Sequence, residues 1–341
     1  MNVFLIGGTN FIGPHVVRSL LAAGHQVMVF HRGKTIAHFD QPIQVLQGDR
    51  NQLRNFQKPI QHFAPDVVVD MIAYTQTDAQ TVVDTLYGLC NRVVVISSQD
   101  VYRARDILWG LEKHVPDPTP LKEDAPLRSH YYPYRNTSFP RLPEDYDKIL
   151  VEQTYLTAPE IQTTILRLPM VYGPGDPLHR FAAYLYRMER QRPVILLEET
   201  LAHWCSSYGY VENVAQAIVL AVSRSLGENT IFNISDVEPL NEQERLSLVG
   251  QVCGWQGRIV TLHRDAIPEA AQLPLNFCQD WVTDSSRIRQ ELGYRGAVSR
   301  LEAIQRTVSW QRSHMPPNLE QSASAMALLD EAVEDTLMHT M

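Results

Sequence analysis

The chain has 341 residues, 44% hydrophobic and 20% charged, enough for about two domains or one two-lobed unit around a sizeable core. Its net charge of −8 argues against broad attraction to phosphate backbones, so nucleic acid is an unlikely partner. Four widely spaced cysteines without a CxxC pair, no bilayer-length apolar run and no basic leader before MNVFLIGG together predict a cytoplasmic protein with neither disulfides nor a membrane anchor.

In chain order, residues 3–6 form a short apolar run ending at a glycine pair. Residues 15–23 have helical periodicity, with Gly24 where a helix would stop. Residues 27–30, 44–46 and 66–72 read as further strands, 81–89 as helix and 92–97 as a continuous β-branched strand. Near-continuous apolar strands alternating with helices predict a parallel sheet covered on both faces. From 103 to 141 the rhythm breaks into a proline-rich stretch carrying Tyr131, Tyr132 and Tyr134, which predicts a lid or substrate wall. A helix over 143–156 and a strand over 163–168 follow. Beyond His314 the chain turns acidic, and 325–337 predicts an appended helix.

Strand, then Gly7-Gly8-Thr9-Asn10-Phe11-Ile12-Gly13, then helix is the order a dinucleotide fingerprint needs. Glycines let the backbone approach a pyrophosphate, and the helix amino terminus offers its N–H groups to the anion. Asn10 stands where the usual GxxGxxG spacing has glycine, and asparagine tolerates left-handed backbone better than most residues. After the second strand comes Phe30-His31-Arg32-Gly33-Lys34, with no acid to hold a ribose 2′-hydroxyl. His31 and Arg32 therefore favour NADP over NAD, although the run also reads as a solvated basic turn. Asp49 and Arg50, after the third strand, are placed to meet the adenine.

These features are joined by Ser97-Ser98-Gln99-Asp100-Val101-Tyr102, by the acidic stretch 120–127, and by Arg167-Leu168-Pro169-Met170-Val171-Tyr172-Gly173-Pro174-Gly175-Asp176. The segments 210–215, 231–236 and 284–294 complete the set. In that order they resemble the extended short-chain dehydrogenase/reductases of the NAD-dependent epimerase/dehydratase family, in an atypical subgroup near the chloroplast stem-loop-binding proteins. The resemblance runs from Val3 to about Trp310. It implies a doubly wound parallel (Rossmann) sheet in an α/β fold with a smaller carboxyl-terminal substrate lobe. Residues 1–172 would form the NAD(P)-binding domain, with 207–235 returning to it. Residues 173–206 and 236–315 would form the lobe, and 316–341 an acidic tail or helix. It further implies a nicotinamide cofactor, a small-molecule substrate such as a nucleotide sugar, and a homodimer paired through helices.

The chemistry implied is hydride exchange coupled to proton transfer by a tyrosine. A lysine four residues later lowers the phenol's pKa and binds the nicotinamide ribose, while a serine orients the substrate oxygen. Ser98 and Lys148 occupy the serine and lysine positions, but the tyrosine position holds Glu144. Three readings stand open. Tyr146 supplies the phenol, although two residues on an ideal helix point about 200° apart. Glu144 acts as a buried acid/base. Or Pro143, Glu144 and Asp145 merely start the helix. A fourth has Tyr131, Tyr132 or Tyr134 folding back over Ser98. Tyr172, His179 and Arg180, in and just beyond the YGPG loop, are candidate substrate contacts, the last two as diphosphate anchors or as solvated loop charges. Arg167 either acts in the site or pins its loop. No histidine pair has metal-ligand spacing, so no metal is expected. The activity expected is that of an epimerase, dehydratase or reductase. The alternative is a non-catalytic or RNA-binding member.

Overall fold

The computed structural model describes residues 1–35, 37–137, 142–319, 322 and 328–340. Seven parallel strands form the central sheet: β1 (Asn2–Ile6), β2 (Gln26–His31), β3 (Gln44–Gln47), β4 (Val67–Asp70), β5 (Arg92–Ser98), β6 (Gln162–Leu168) and β11 (Thr230–Asn233). Three smaller pairs join β7 (Met170–Tyr172) to β10 (Tyr208–Tyr210), β8 (Val194–Glu198) to β13 (Arg258–Leu262), and β9 (Cys205–Ser206) to β12 (Leu240–Asn241). The order in the central sheet is β11-β6-β5-β4-β1-β2-β3. The chain runs outward from β1 to β3, then returns to the other side of β1 for β4. Connections therefore leave β1 and β4 in opposite directions, opening a crevice at their carboxyl ends.

The strands are apolar on both sides because both faces are covered. Val3 and Leu5 enter one core layer with Val16, Val17 and Leu20 of α1 (Ile12–Ala22), while Phe4 and Ile6 enter the other. That second layer includes Ile60 of α2 (Gln57–Phe63), Val82 of α3 (Gln76–Leu86) and Tyr155. A capping box of Thr75 and Asp78 starts α3 five residues earlier than periodicity alone places it. Within the proline-rich stretch, the structure adds α4 (Arg103–Leu108).

The expected helix over 143–156 is shorter. Asp147 is its N-cap, accepting from the amides of Ile149 and Leu150, so α5 spans Lys148–Leu156 and residues 143–146 form a turn. Asp147 wins because its carboxylate is also gripped by Arg128, both side chains being fully buried. Glu144 and Asp145 lie exposed on that turn.

The remaining helices are α6 (Ala182–Glu189), α7 (Glu199–His203), α8 (Val211–Ser223), α9 (Glu242–Cys253), α10 (Ser286–Leu292), α11 (Arg300–Ser313) and α12 (Glu331–Thr340). Residues 325–327 of the expected tail helix lie outside the described residues. The helix itself starts at Glu331, where Glu331, Glu334 and Asp335 meet Arg187, Arg190 and Arg192. No helix among the described residues is long and apolar enough to cross a membrane.

Candidate active site

The glycine loop joins β1 to α1. A Cβ on Gly13 would lie 2.3 Å from Gly8 Cα, so only glycine permits this fold-back of the loop on the helix. The left-handed residue is Phe11 (φ 46°), not Asn10, which is exposed. Phe11 is the N-cap of α1 and makes no side-chain cap, a state α1 shares with α2, α4, α6, α7, α8 and α10, so what sets it apart is the glycine loop before it. An uncapped amino terminus behind a close-approach glycine loop fits an anion such as a pyrophosphate. The YGPG loop borders this cradle: a Cβ on Gly175 would sit 3.6 Å from Phe11 Cα. On the opposite flank, the Thr9 hydroxyl lies 2.6 Å from that of Thr35 in the basic turn.

In that turn Arg32 is exposed, and its charge is felt at Tyr74 beyond β4. His31 Nδ1 accepts from the Gly33 amide at 3.0 Å, and burial lowers the ring's pKa, leaving it neutral at neutral pH. The turn's positive charge therefore rests on Arg32 and Lys34. Asp49 is exposed and caps the amide of Asn51. Arg50 turns inward instead, correcting its expected place at the adenine. Its guanidinium forks onto Asp70 at 3.0 and 2.7 Å and reaches Asp78 at 3.0 Å. Tyr155 donates to the same Asp70 at 2.6 Å. A carboxylate buried at the end of β4 needs this company, and Arg50 is consumed in supplying it.

Ser98 closes β5, half-buried, and its Oγ accepts from the Asp100 amide at 3.2 Å. Lys148 opens α5, 4% exposed, with Nζ donating to the carbonyls of Ala73 (2.5 Å) and Ile96 (2.8 Å). Burial lowers its pKa to about 8, against the pull of Asp100 and Asp70, which raise it. Its Nζ lies 5.1 Å from the Tyr74 ring centre and 5.9 Å from that of Tyr146.

The helical-spacing objection to Tyr146 disappears because Tyr146 precedes the helix. Its buried hydroxyl donates to Asp100 Oδ2 at 2.7 Å. Burial, then the Asp100 carboxylate, push its pKa well up. Of the loop tyrosines, only Tyr134 reaches this cluster. It packs edge-on against Tyr146 at 5.3 Å and places its hydroxyl 3.4 Å from Asp100 Oδ2. Tyr131 is exposed, and Tyr132 lies under Arg135. Residues 138–141 of the loop lie outside those described.

One turn along α5 from Lys148, Glu152 accepts a fork from Arg167 at 3.0 and 2.8 Å and a hydrogen bond from Ser97 at 2.5 Å. Arg167 also donates to the Tyr102 hydroxyl at 2.9 Å, and that hydroxyl donates to Asn233 at 2.7 Å. This network ties β5, α5, β6 and β11 together and fixes the Lys148 end of α5. Arg167 thus pins the scaffold.

Beyond the crevice, Tyr172, Phe181, Tyr208, Asp236, Arg245 and Arg300 line a pocket. Tyr172 stacks on Phe181 and points its hydroxyl at Asp236, 3.4 Å away. His179 stacks instead on Trp310, with Gln311 3.1 Å from its Nδ1, and Arg180 is paired with Asp176 at 2.7 Å. Sequence reading passed over Asp100, Asp147 and Tyr74. The available signal was a pair of aspartates, one inside the Ser97–Tyr102 motif and one directly before the helical lysine.

The NAD dependent epimerase/dehydratase family model matches residues 3–235, and the chain belongs to that family. Relatives include the chloroplast stem-loop binding protein of 41 kDa b of Arabidopsis thaliana, 24% identical over 68% of this chain and 58% of that one. The 2'-dehydrokanamycin reductase of Streptomyces kanamyceticus is 26% identical over 74% of this chain and 67% of the reductase. The chain thus aligns with about three fifths to two thirds of those relatives' lengths. A UDP-glucose-4-epimerase from Stenotrophomonas maltophila, solved with NAD and formylated UDP-arabinopyranose, shares the fold. Its TM-score is 0.70 at 17% identity, over 92% of this chain and 98% of that one.

Proposed function

We propose that the chain is an NAD(P)-dependent oxidoreductase of the epimerase, dehydratase or reductase type. It acts on a hydroxyl or carbonyl group of a nucleotide sugar or similar small substrate, with NADP preferred to NAD. The observation that carries this reading is the convergence of Ser98, Tyr146 and the buried Lys148 ammonium at the carboxyl ends of β4 and β5. The glycine loop and the uncapped α1 stand at the same end of the sheet. A buried lysine with a depressed pKa beside a phenol is costly for stability alone and is commonly found at functional sites.

In this reading Gly7, Gly8, Thr9, Asn10, Phe11, Ile12 and Gly13 cradle the pyrophosphate and Asp49 meets the adenine. Arg32, beside His31, takes the 2′-phosphate, and Lys148 holds the nicotinamide ribose. The bound dinucleotide supplies the hydride acceptor or donor. Ser98 orients the substrate oxygen, Tyr146 exchanges its proton, and Tyr172 forms part of the substrate wall. Supporting the substrate class is the nucleotide sugar bound by the structural neighbour, and supporting redox chemistry is the reductase relative.

The test is fluorescence titration with NADPH and NADH, followed by nicotinamide absorbance with UDP-glucose, UDP-galactose and UDP-glucuronate. Failure to bind either dinucleotide would end the proposal. A non-catalytic, RNA-associated role draws on the stem-loop-binding relative. Salt-sensitive RNA binding without any absorbance change would put that role in its place.

A further inference from the structure

Asp100 is the one carboxylate in direct contact with the Tyr146 hydroxyl among the described residues, and it comes from a different element, the single 3₁₀ turn Gln99–Val101 after β5. It is 3% exposed. Oδ2 accepts from Tyr146 at 2.7 Å and faces the Tyr134 hydroxyl at 3.4 Å, while buried Oδ1 has no hydrogen-bond partner among the described residues. The Asp100 amide is held by Ser98 Oγ and its carbonyl by Arg128 Nε, at 3.2 and 2.9 Å, so the side chain's position is fixed from both ends. The charges facing it are Arg128 and Lys148, and the titratable hydroxyls are Tyr134 and Tyr146.

A phenol that already donates to a buried carboxylate is held protonated, so Tyr146 is not poised to become a tyrosinate that strips a substrate proton. The same hydrogen bond gives its proton somewhere to go. We infer that Asp100 and Tyr146 form a two-residue proton relay in which Tyr146 Oη meets the substrate oxygen and Asp100 Oδ2 is the proton's resting place. This rests on the oxidoreductase reading above.

In the oxidising direction a bound nicotinamide dinucleotide would accept the C–H electron pair of the substrate carbinol as hydride. The carbinol's O–H proton passes to Tyr146 Oη as the phenol's own proton passes to Asp100. The O–H electron pair becomes the second bond of the carbonyl. Tyr146 is neutral before and after, Asp100 goes from carboxylate to carboxylic acid, and reduction runs the same transfers backwards. Asp100 acts through Tyr146 and is a positioning and relay residue. Lys148, two of whose three ammonium hydrogens go to carbonyls, contributes to the relay only charge at a distance.

The test uses the full-length protein and the variants D100N, D100E and Y146F, each first shown to bind NADPH as the wild type does. Asp100→Asn keeps the shape but cannot take the proton. With whichever of the three UDP-sugars the wild type oxidises, kcat should fall roughly 100- to 1,000-fold, with KM within about threefold. Asp100→Glu should recover part of kcat. Without substrate, ultraviolet difference titration against Y146F should show the Tyr146 phenol ionising at lower pH in D100N than in the wild type, since one cause of its elevation is gone. Unchanged kcat in D100N with an active wild type would overturn the relay alone, as would a phenol that does not move. A wild type that binds dinucleotide yet oxidises and reduces nothing would overturn the functional reading, and the relay with it.

Discussion

Lys148→Met isolates the cost of the buried ammonium. Burial moves the lysine from its ordinary 10.5 to about 8, a preference for the neutral amine worth about 3 kcal/mol. The sign follows from proton counting. From about pH 8 to about pH 10.5 the unfolded chain keeps a proton on this lysine that the folded chain has shed, so stability rises with pH across that window. Other groups pull the opposite way at its upper end. Burial raises Cys90, Cys205 and Cys253, and also Tyr134, Tyr146 and Tyr155, so unfolded thiols and phenols ionise first and stability falls. These contributions largely cancel when wild type is compared with K148M. Methionine fills similar volume but leaves the carbonyls of Ala73 and Ile96 without their donor, at about 1–3 kcal/mol each. That offset does not depend on pH. Urea unfolding of both proteins at several pH values should therefore give a wild-type-minus-variant difference that climbs by about 3 kcal/mol across the window. A flat difference would refute the claim that the amine is desolvated in the folded state.

Gly13→Ala should weaken NADPH binding at least about tenfold by fluorescence titration, because its Cβ would meet Gly8 Cα at 2.3 Å and force the loop open. Arg32→Ala, at an exposed position, should lower NADPH affinity roughly tenfold and leave NADH affinity and thermal stability alone; equal loss for both dinucleotides would refute its role at a 2′-phosphate. Arg128→Ala strands the fully buried Asp147 carboxylate and should cost about 3–5 kcal/mol in denaturant unfolding. Arg50→Ala should behave alike, losing stability through Asp70 without shifting the NADPH-to-NADH preference.

The doubly wound sheet was legible because its information is local. Both-face burial leaves continuous apolar runs such as Val67 to Val69 and Val93 to Ile96, and the glycine loop announces itself between strand and helix. Ser98 and Lys148 could be placed for the same reason, since each sits at a fixed offset within a motif. What could not be read was decided by partners far along the chain. Whether α5 begins at Pro143 or Lys148 depends on Arg128, which reaches across 19 residues to seat Asp147 as the cap. Arg50 beside Asp49 suggests an adenine contact until Asp70 and Asp78 draw its guanidinium inward. Tyr146 seemed badly phased only while it was assumed to be helical. Its neighbour Asp100 lies 46 positions away in sequence and 2.7 Å away in space. Sequence determined the sheet, the glycine loop between β1 and α1 and the place of Lys148 in its motif, because periodicity and steric demand act over a few residues. Tertiary structure decided the partners of Asp147, Arg50 and Tyr146, because a buried charge takes whichever partner the fold brings to it.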